Sequence, residues 1–186
     1  KNPLDHVEEA KRIFREVSAH YGNNPGVIYE ICNEPNGDTS WEDVKRYAEQ
    51  VIPEIRANAP QALILCGTQD HSANLDGPLG DPIDDPNLMY DLHFYADASK
   101  EKHFDAVYEE KLLRAKLPIF VSEWGISYGK LDDTHIKSPQ DSRLSFQEAK
   151  EFAAFLRKNQ ISWTYWSLSN KAEAHSIVLP SSSKKS

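Results

Sequence analysis

Short apolar runs and amphipathic stretches take turns along this 186-residue chain. The runs are VIYEICN (27–33), ALILCG (62–67), LMYDLHFY (88–95), PIFVSEWG (118–125) and ISWTYWSL (161–168). They are rich in β-branched and aromatic residues, as strands are. Between them, apolar residues recur at helical spacing. Residues 5–20 carry Val7, Ala10, Phe14 and Val17, with Asp5 as the expected N-cap. Residues 40–58 carry Val44, Tyr47, Ala48, Val51 and Ile55 behind Ser40 as cap, and Pro53 should kink or break that helix. Helices are also expected over 104–115, with Phe104, Val107, Tyr108 and Leu112, and over 146–159, with Phe152, Phe155 and Leu156. Residues 68–86 and the stretch Tyr128–Arg143 read as loops, and residues 180–186 as a disordered tail. Buried strands alternating with helices imply a parallel sheet with the helices outside it.

The length suits one domain. Twenty-one basic against 29 acidic side chains leave a net charge of −8, which argues against nucleic-acid or anionic-membrane partners. There is no internal repeat, no transmembrane run and no signal peptide pattern. Cys32 and Cys66 lie in neighbouring apolar runs without a CxxC partner; buried free thiols and a bridge both fit. The histidines have no HxH or HExxH spacing, and His135 beside Asp132 and Asp133 reads as a solvated loop cluster. No metal or cofactor is expected.

Two of the runs end in a glutamate. The first stops at Asn33-Glu34-Pro35 and the fourth delivers Glu123. A carboxylate beside a carboxamide at the end of a buried strand is costly unless it is used or paired. In parallel α/β folds, polar residues at the C-terminal ends of strands build the site. Two carboxyl groups on separate strands are what glycoside hydrolysis needs. Glu30 follows the same alternation as Glu34 and reads as an internal carboxylate.

These motifs, VIYEICNEPNG, DLHFYA, IFVSEWG and ISWTYWSLSNK in that order, resemble glycoside hydrolase family 5, and its bacterial endoglucanases in particular. The resemblance runs to about residue 180. It implies an α/β fold, the (β/α)8 TIM barrel, with residues 27–33 as its fourth strand and 161–168 as its eighth. Residues 1–186 would then be a partial catalytic domain, strands four to eight, without the first three strands or the last helix. Exposed strand edges in such a piece imply poor solubility or dimerisation, and little activity.

The resemblance also implies roles. Glu34 corresponds to the acid/base and Glu123 to the nucleophile of a retaining mechanism. Asn33 corresponds to the residue that bonds the sugar 2-hydroxyl, Tyr95 to the tyrosine touching the nucleophile, and His93 to a pocket histidine. Trp166 corresponds to a sugar-stacking tryptophan, while Trp163 and Tyr165, out of phase with it, are expected to pack against helices. Lys171 and Glu173 match positions that bond glucose hydroxyls. The family's tryptophan after the fifth strand has no counterpart in Thr68 to His71, so one subsite should be weaker. The implied partner is a β-glucan, with a secreted and monomeric intact enzyme. Two other readings fit the same residues: a carbohydrate-binding or inactive barrel fragment, and the same fold acting on mannan, xylan or lichenan.

Overall fold

The computed structural model describes residues 1–97, 104–126, 139–170 and 177. Five strands form one sheet: β1 (Ile28–Glu30), β2 (Leu63–Cys66), β3 (Leu88–Ala96), β4 (Ile119–Ile126) and β5 (Ser162–Tyr165). Neighbours in the sheet follow chain order, β1-β2-β3-β4-β5. β1 pairs with β2 in parallel, Tyr29 opposite Ile64, and β2 pairs with β3 in parallel, Leu65 opposite Met89. Sequential order with parallel pairing and intervening helices is the plan of a (β/α) barrel, present here in part. The chain divides into two compact units, residues 1–93 with 115–120, and 94–114 with 121–186.

In the first unit a 3₁₀ turn, Pro3–His6, leads into α1 (Val7–Tyr21). The expected cap at Asp5 is not used. Asn2 caps the 3₁₀ turn instead, its Oδ1 accepting from Leu4 N at 3.0 Å. The apolar face of α1 is only half covered: Ser18 is its one buried residue, and Ile13 and Val17 are exposed. α2 (Trp41–Arg56) starts on Ser40, whose hydroxyl and Asp43 form a reciprocal capping box. All five of its expected inward residues are buried. Pro53 does not end it; the helix runs through to Arg56. Arg56 makes a two-pronged bond to Asp85, at 2.8 and 2.6 Å, and also donates to Ala62 O. The guanidinium holds the Asp85 carboxyl below the usual carboxylate range.

The 68–86 segment is more ordered than a loop. It contains α3 (Gln69–Ser72), a single turn in which Asp70 and His71 have non-helical backbone, and the five-residue helix α4 (Asp76–Gly80). Gly77 is required there, because a Cβ would sit 2.3 Å from the Trp41 ring. Trp41 Nε1 in turn donates to Asp81 O at 2.8 Å.

The second unit is built on aromatic packing. α5 (Ala106–Ala115) and α6 (Pro139–Lys158) flank β4 and β5 in sequence. α6 begins seven residues before the expected start at 146, so residues 139–143 are helix rather than loop. Phe152 of α6 lies 4.2 Å from Phe94, 5.1 Å from Phe104 and 5.8 Å from Trp124, centroid to centroid. Rings at these separations add attraction beyond their buried area. Phe104, Leu112, Phe155 and Leu156 are buried as expected; Leu113 is exposed. Glu148 is buried and accepts from the backbone N–H groups of Phe104 and Asp97, at 2.7 and 3.1 Å. Trp163 and Tyr165 meet the Trp124 ring edge-on, at 5.4 and 5.5 Å, and Trp163 is exposed.

Candidate active site

Asn33 and Glu34 stand just beyond the last paired residue of the first strand. Regular pairing is shorter than the 27–33 expected and covers Ile28–Glu30, with one further bond from Ile31 N to Leu65 O at 3.0 Å. α2 holds this exit: Tyr47 Oη donates to Ile31 O at 2.6 Å, and burial pushes the Tyr47 phenol well up. Beyond it the chain turns out of the sheet, because Pro35 cannot donate to a ladder. The Asn33 side chain is exposed and Glu34 is partly so. Glu34 opens on a depression of about 270 Å³ that Cys32, Asn33 and Pro35 also line.

The Glu34 carboxylate meets His93 of β3, Oε1 to Nδ1 at 2.9 Å. The other ring nitrogen, Nε2, meets Asp91 Oδ2 at 2.9 Å. Asp91 and His93 are both buried, so the hydrogen-bonded row of two carboxyls and an imidazole runs from a buried end at Asp91 to a partly exposed one at Glu34. A histidine between two carboxyls either donates to both as an imidazolium or, when neutral, donates to one and accepts from the other. Glu30, on the same alternation, also comes close; its carboxylate oxygen, one from Asp91 and a His93 nitrogen lie within 4.8 Å of one another. That spacing would suit a cation. Both His93 nitrogens face carboxyls. Sequence reasoning missed Asp91. Its signal was legible: Asp91, His93 and Tyr95 alternate on one face of β3.

Cys32 and Cys66 sit beside this exit as free thiols. The Cys32 thiol against it, together with full burial, pushes the Cys66 thiol well above its ordinary value.

In the second unit Tyr95 and Glu123 are brought together. Tyr95 Oη donates to Glu123 Oε2 at 2.7 Å. Gly125 makes room beside them: a Cβ there would lie 2.7 Å from Trp166 O and 3.5 Å from the Tyr95 ring. Trp166 N donates to Trp124 O at 2.9 Å, which fixes the end of β5 against β4. Trp166 is 41% exposed. Lys171 and Glu173 lie outside the described residues, as do His135 and its neighbours and the tail 180–186. No helix among the described residues is long and apolar enough to cross a membrane.

The profile of the family described as Cellulase (glycosyl hydrolase family 5) matches residues 1–172. Endoglucanase A of Evansella cellulosilytica is 39% identical over 181 residues, which is 96% of this chain and 35% of that protein. Cellulase CelDZ1 of a Thermoanaerobacterium species is 37% identical, over 94% of this chain and 46% of that protein. The chain thus spans between a third and a half of these relatives. Among solved structures, Cellulase Cel5C_n superposes with a TM-score of 0.81 at 33% identity, covering 96% of this chain and 52% of its own. The catalytic domain of Thermobifida fusca endoglucanase Cel5A, solved with cellotetraose, gives 0.79 at 29% identity, over 96% of this chain and 57% of its own. The chain is a partial catalytic domain and belongs to the cellulase family, glycosyl hydrolase family 5.

Proposed function

We propose that this chain carries both catalytic carboxyls of a retaining endo-β-1,4-glucanase. Glu34 is the general acid/base and Glu123 the nucleophile. In the first step the Glu123 carboxylate attacks the anomeric carbon while Glu34 gives its proton to the departing glycosidic oxygen. The C–O bond breaks and a glycosyl ester forms on Glu123. In the second step Glu34, now ionised, takes a proton from water, the water attacks the anomeric carbon, and Glu123 leaves as a carboxylate. Two inversions leave the configuration unchanged. Neither step calls for a metal or cofactor.

The observation that carries the reading is the difference between the two glutamates' partners. Glu123 accepts from the Tyr95 phenol, which orients its carboxyl as an attacking group needs. Glu34 faces a histidine, which accommodates a carboxyl that is protonated in one step and ionised in the next. The substrate is a β-glucan, a reading supported by the endoglucanase names of the relatives. Asn33 bonds the 2-hydroxyl, Trp166 stacks on a sugar ring, and Lys171 and Glu173 bond hydroxyls. The intact enzyme is secreted and acts as a monomer.

The experiment is proton NMR of the first product released by the intact catalytic domain from a cello-oligosaccharide. The β-anomer is expected before mutarotation; initial α-anomer would rule out double displacement. Parallel turnover on cellulose, mannan and mixed-linkage glucan tests the sugar, with the two glucans expected to be preferred.

A further inference from the structure

We propose that Ser72 is a positioning residue for Glu34, acting through the backbone of the Asn33-Glu34-Pro35 tip. The inference rests on the reading of Glu34 as the acid/base. Beyond Ile31 the tip has left the sheet, and its carbonyls are held instead by the end of β2 and the turn after it. Ser72 Oγ donates to Asn33 O at 2.8 Å. His71 N donates to Pro35 O at 3.0 Å. Gly67 lies so close beneath that a Cβ would sit 2.4 Å from Asn33 O and 2.5 Å from Cys32 O. The carbonyls on both sides of Glu34 are therefore fixed by one segment.

The grip requires an uncommon backbone. Asp70, His71 and Ser72 have φ of 58°, 60° and 56°, three consecutive non-glycine residues in the left-handed region. Such residues persist only where their surroundings over-determine them. Here the turn points the His71 amide and the Ser72 hydroxyl back at the tip. Ser72 is fully buried, and its own amide donates to Thr68 O at 3.0 Å. A hydroxyl on Asn33 O fixes the Asn33–Glu34 peptide plane, and with it the direction in which the Glu34 side chain leaves the backbone. His93 holds the far end of that side chain, so the carboxyl is located from both ends. A general acid has to meet the leaving oxygen within hydrogen-bond reach, so a small drift of the tip weakens proton donation first.

Leaving-group dependence reads this out. In the intact catalytic domain, kcat/KM is compared for phenyl and 2,4-dinitrophenyl β-cellobioside, per site titrated with a 2-fluoro cellobioside. Phenol needs a proton to depart; dinitrophenol does not. Ser72→Ala and Ser72→Gly, the second of which suits the left-handed backbone, should each lower the phenyl substrate about tenfold and the dinitrophenyl substrate by less than about twofold. Loss on both substrates alike, loss on neither, or variants with no titratable sites would overturn the proposal. Glu34→Gln is the control. If it depresses both substrates equally, the acid/base reading itself fails; if it is selective while the Ser72 variants are not, only the role of Ser72 falls.

Discussion

Asp91 reaches Glu34 through His93, and Tyr95 bonds Glu123 directly. Asp91 is buried and bonded to His93, so it can only be an anion held by the imidazole or a carboxyl sharing its proton. Replacing it with asparagine keeps the volume and removes that choice. Asp91→Asn is expected to lower kcat of the intact domain on cello-oligosaccharides by about tenfold, within the usual contribution of a positioned acid–base group. Unchanged kcat would remove Asp91 from the proton row. Tyr95→Phe removes the single phenolic donor from Glu123. Roughly a hundredfold loss in kcat is expected, comparable to losing one preorganised donor. A loss below twofold would mean that Tyr95 only packs.

The five strands and helices α1, α2, α5 and α6 follow from local pattern. The α2 face and its Ser40 cap could be read directly, because a periodic apolar stripe behind a capping box is local information. The first cap could not, since Asn2 competes with Asp5 three residues away. The turn at Asp70–Ser72 was not legible either: nothing in Asp-His-Ser announces three left-handed residues, and two of their bonds go to carbonyls of a tip distant in sequence. Long-range ties also decide stability at this scale. Arg56, at the end of α2, anchors Asp85 just before β3. Because Asp85 titrates below its ordinary value in the folded chain, its contribution is present above that value and is lost as pH falls through the depressed one. Asp85→Asn should cost about 2 kcal/mol at neutral pH, as expected for losing a charged hydrogen-bond partner. It should also flatten the fall in melting temperature below about pH 4, the ordinary carboxylate range. An acid limb as steep as before would assign that pH dependence elsewhere.

At the scale of the whole molecule, the described structure leaves apolar surface uncovered. Ile13, Val17 and Tyr21 on α1, Ile28 on β1, and Trp163 and Leu168 around β5 are all exposed. β1 and β5 are the outermost strands of the sheet. Unpaired edges beside apolar faces invite association. Residues 1–186 alone are therefore expected to sediment as dimers or larger species; a monomer that melts cooperatively would contradict this. The same scale holds the central claim, that two carboxyls 89 residues apart in sequence (123 − 34) act on one glycosidic bond. A retaining pair needs its carboxyl groups roughly 5 Å apart. The direct measurement is peptide mass spectrometry of the intact catalytic domain after inactivation by a 2-fluoro cellobioside. A covalent sugar on Glu123, formed in the wild type and absent from Glu123→Gln, is the predicted result; a label on any other residue would contradict the account.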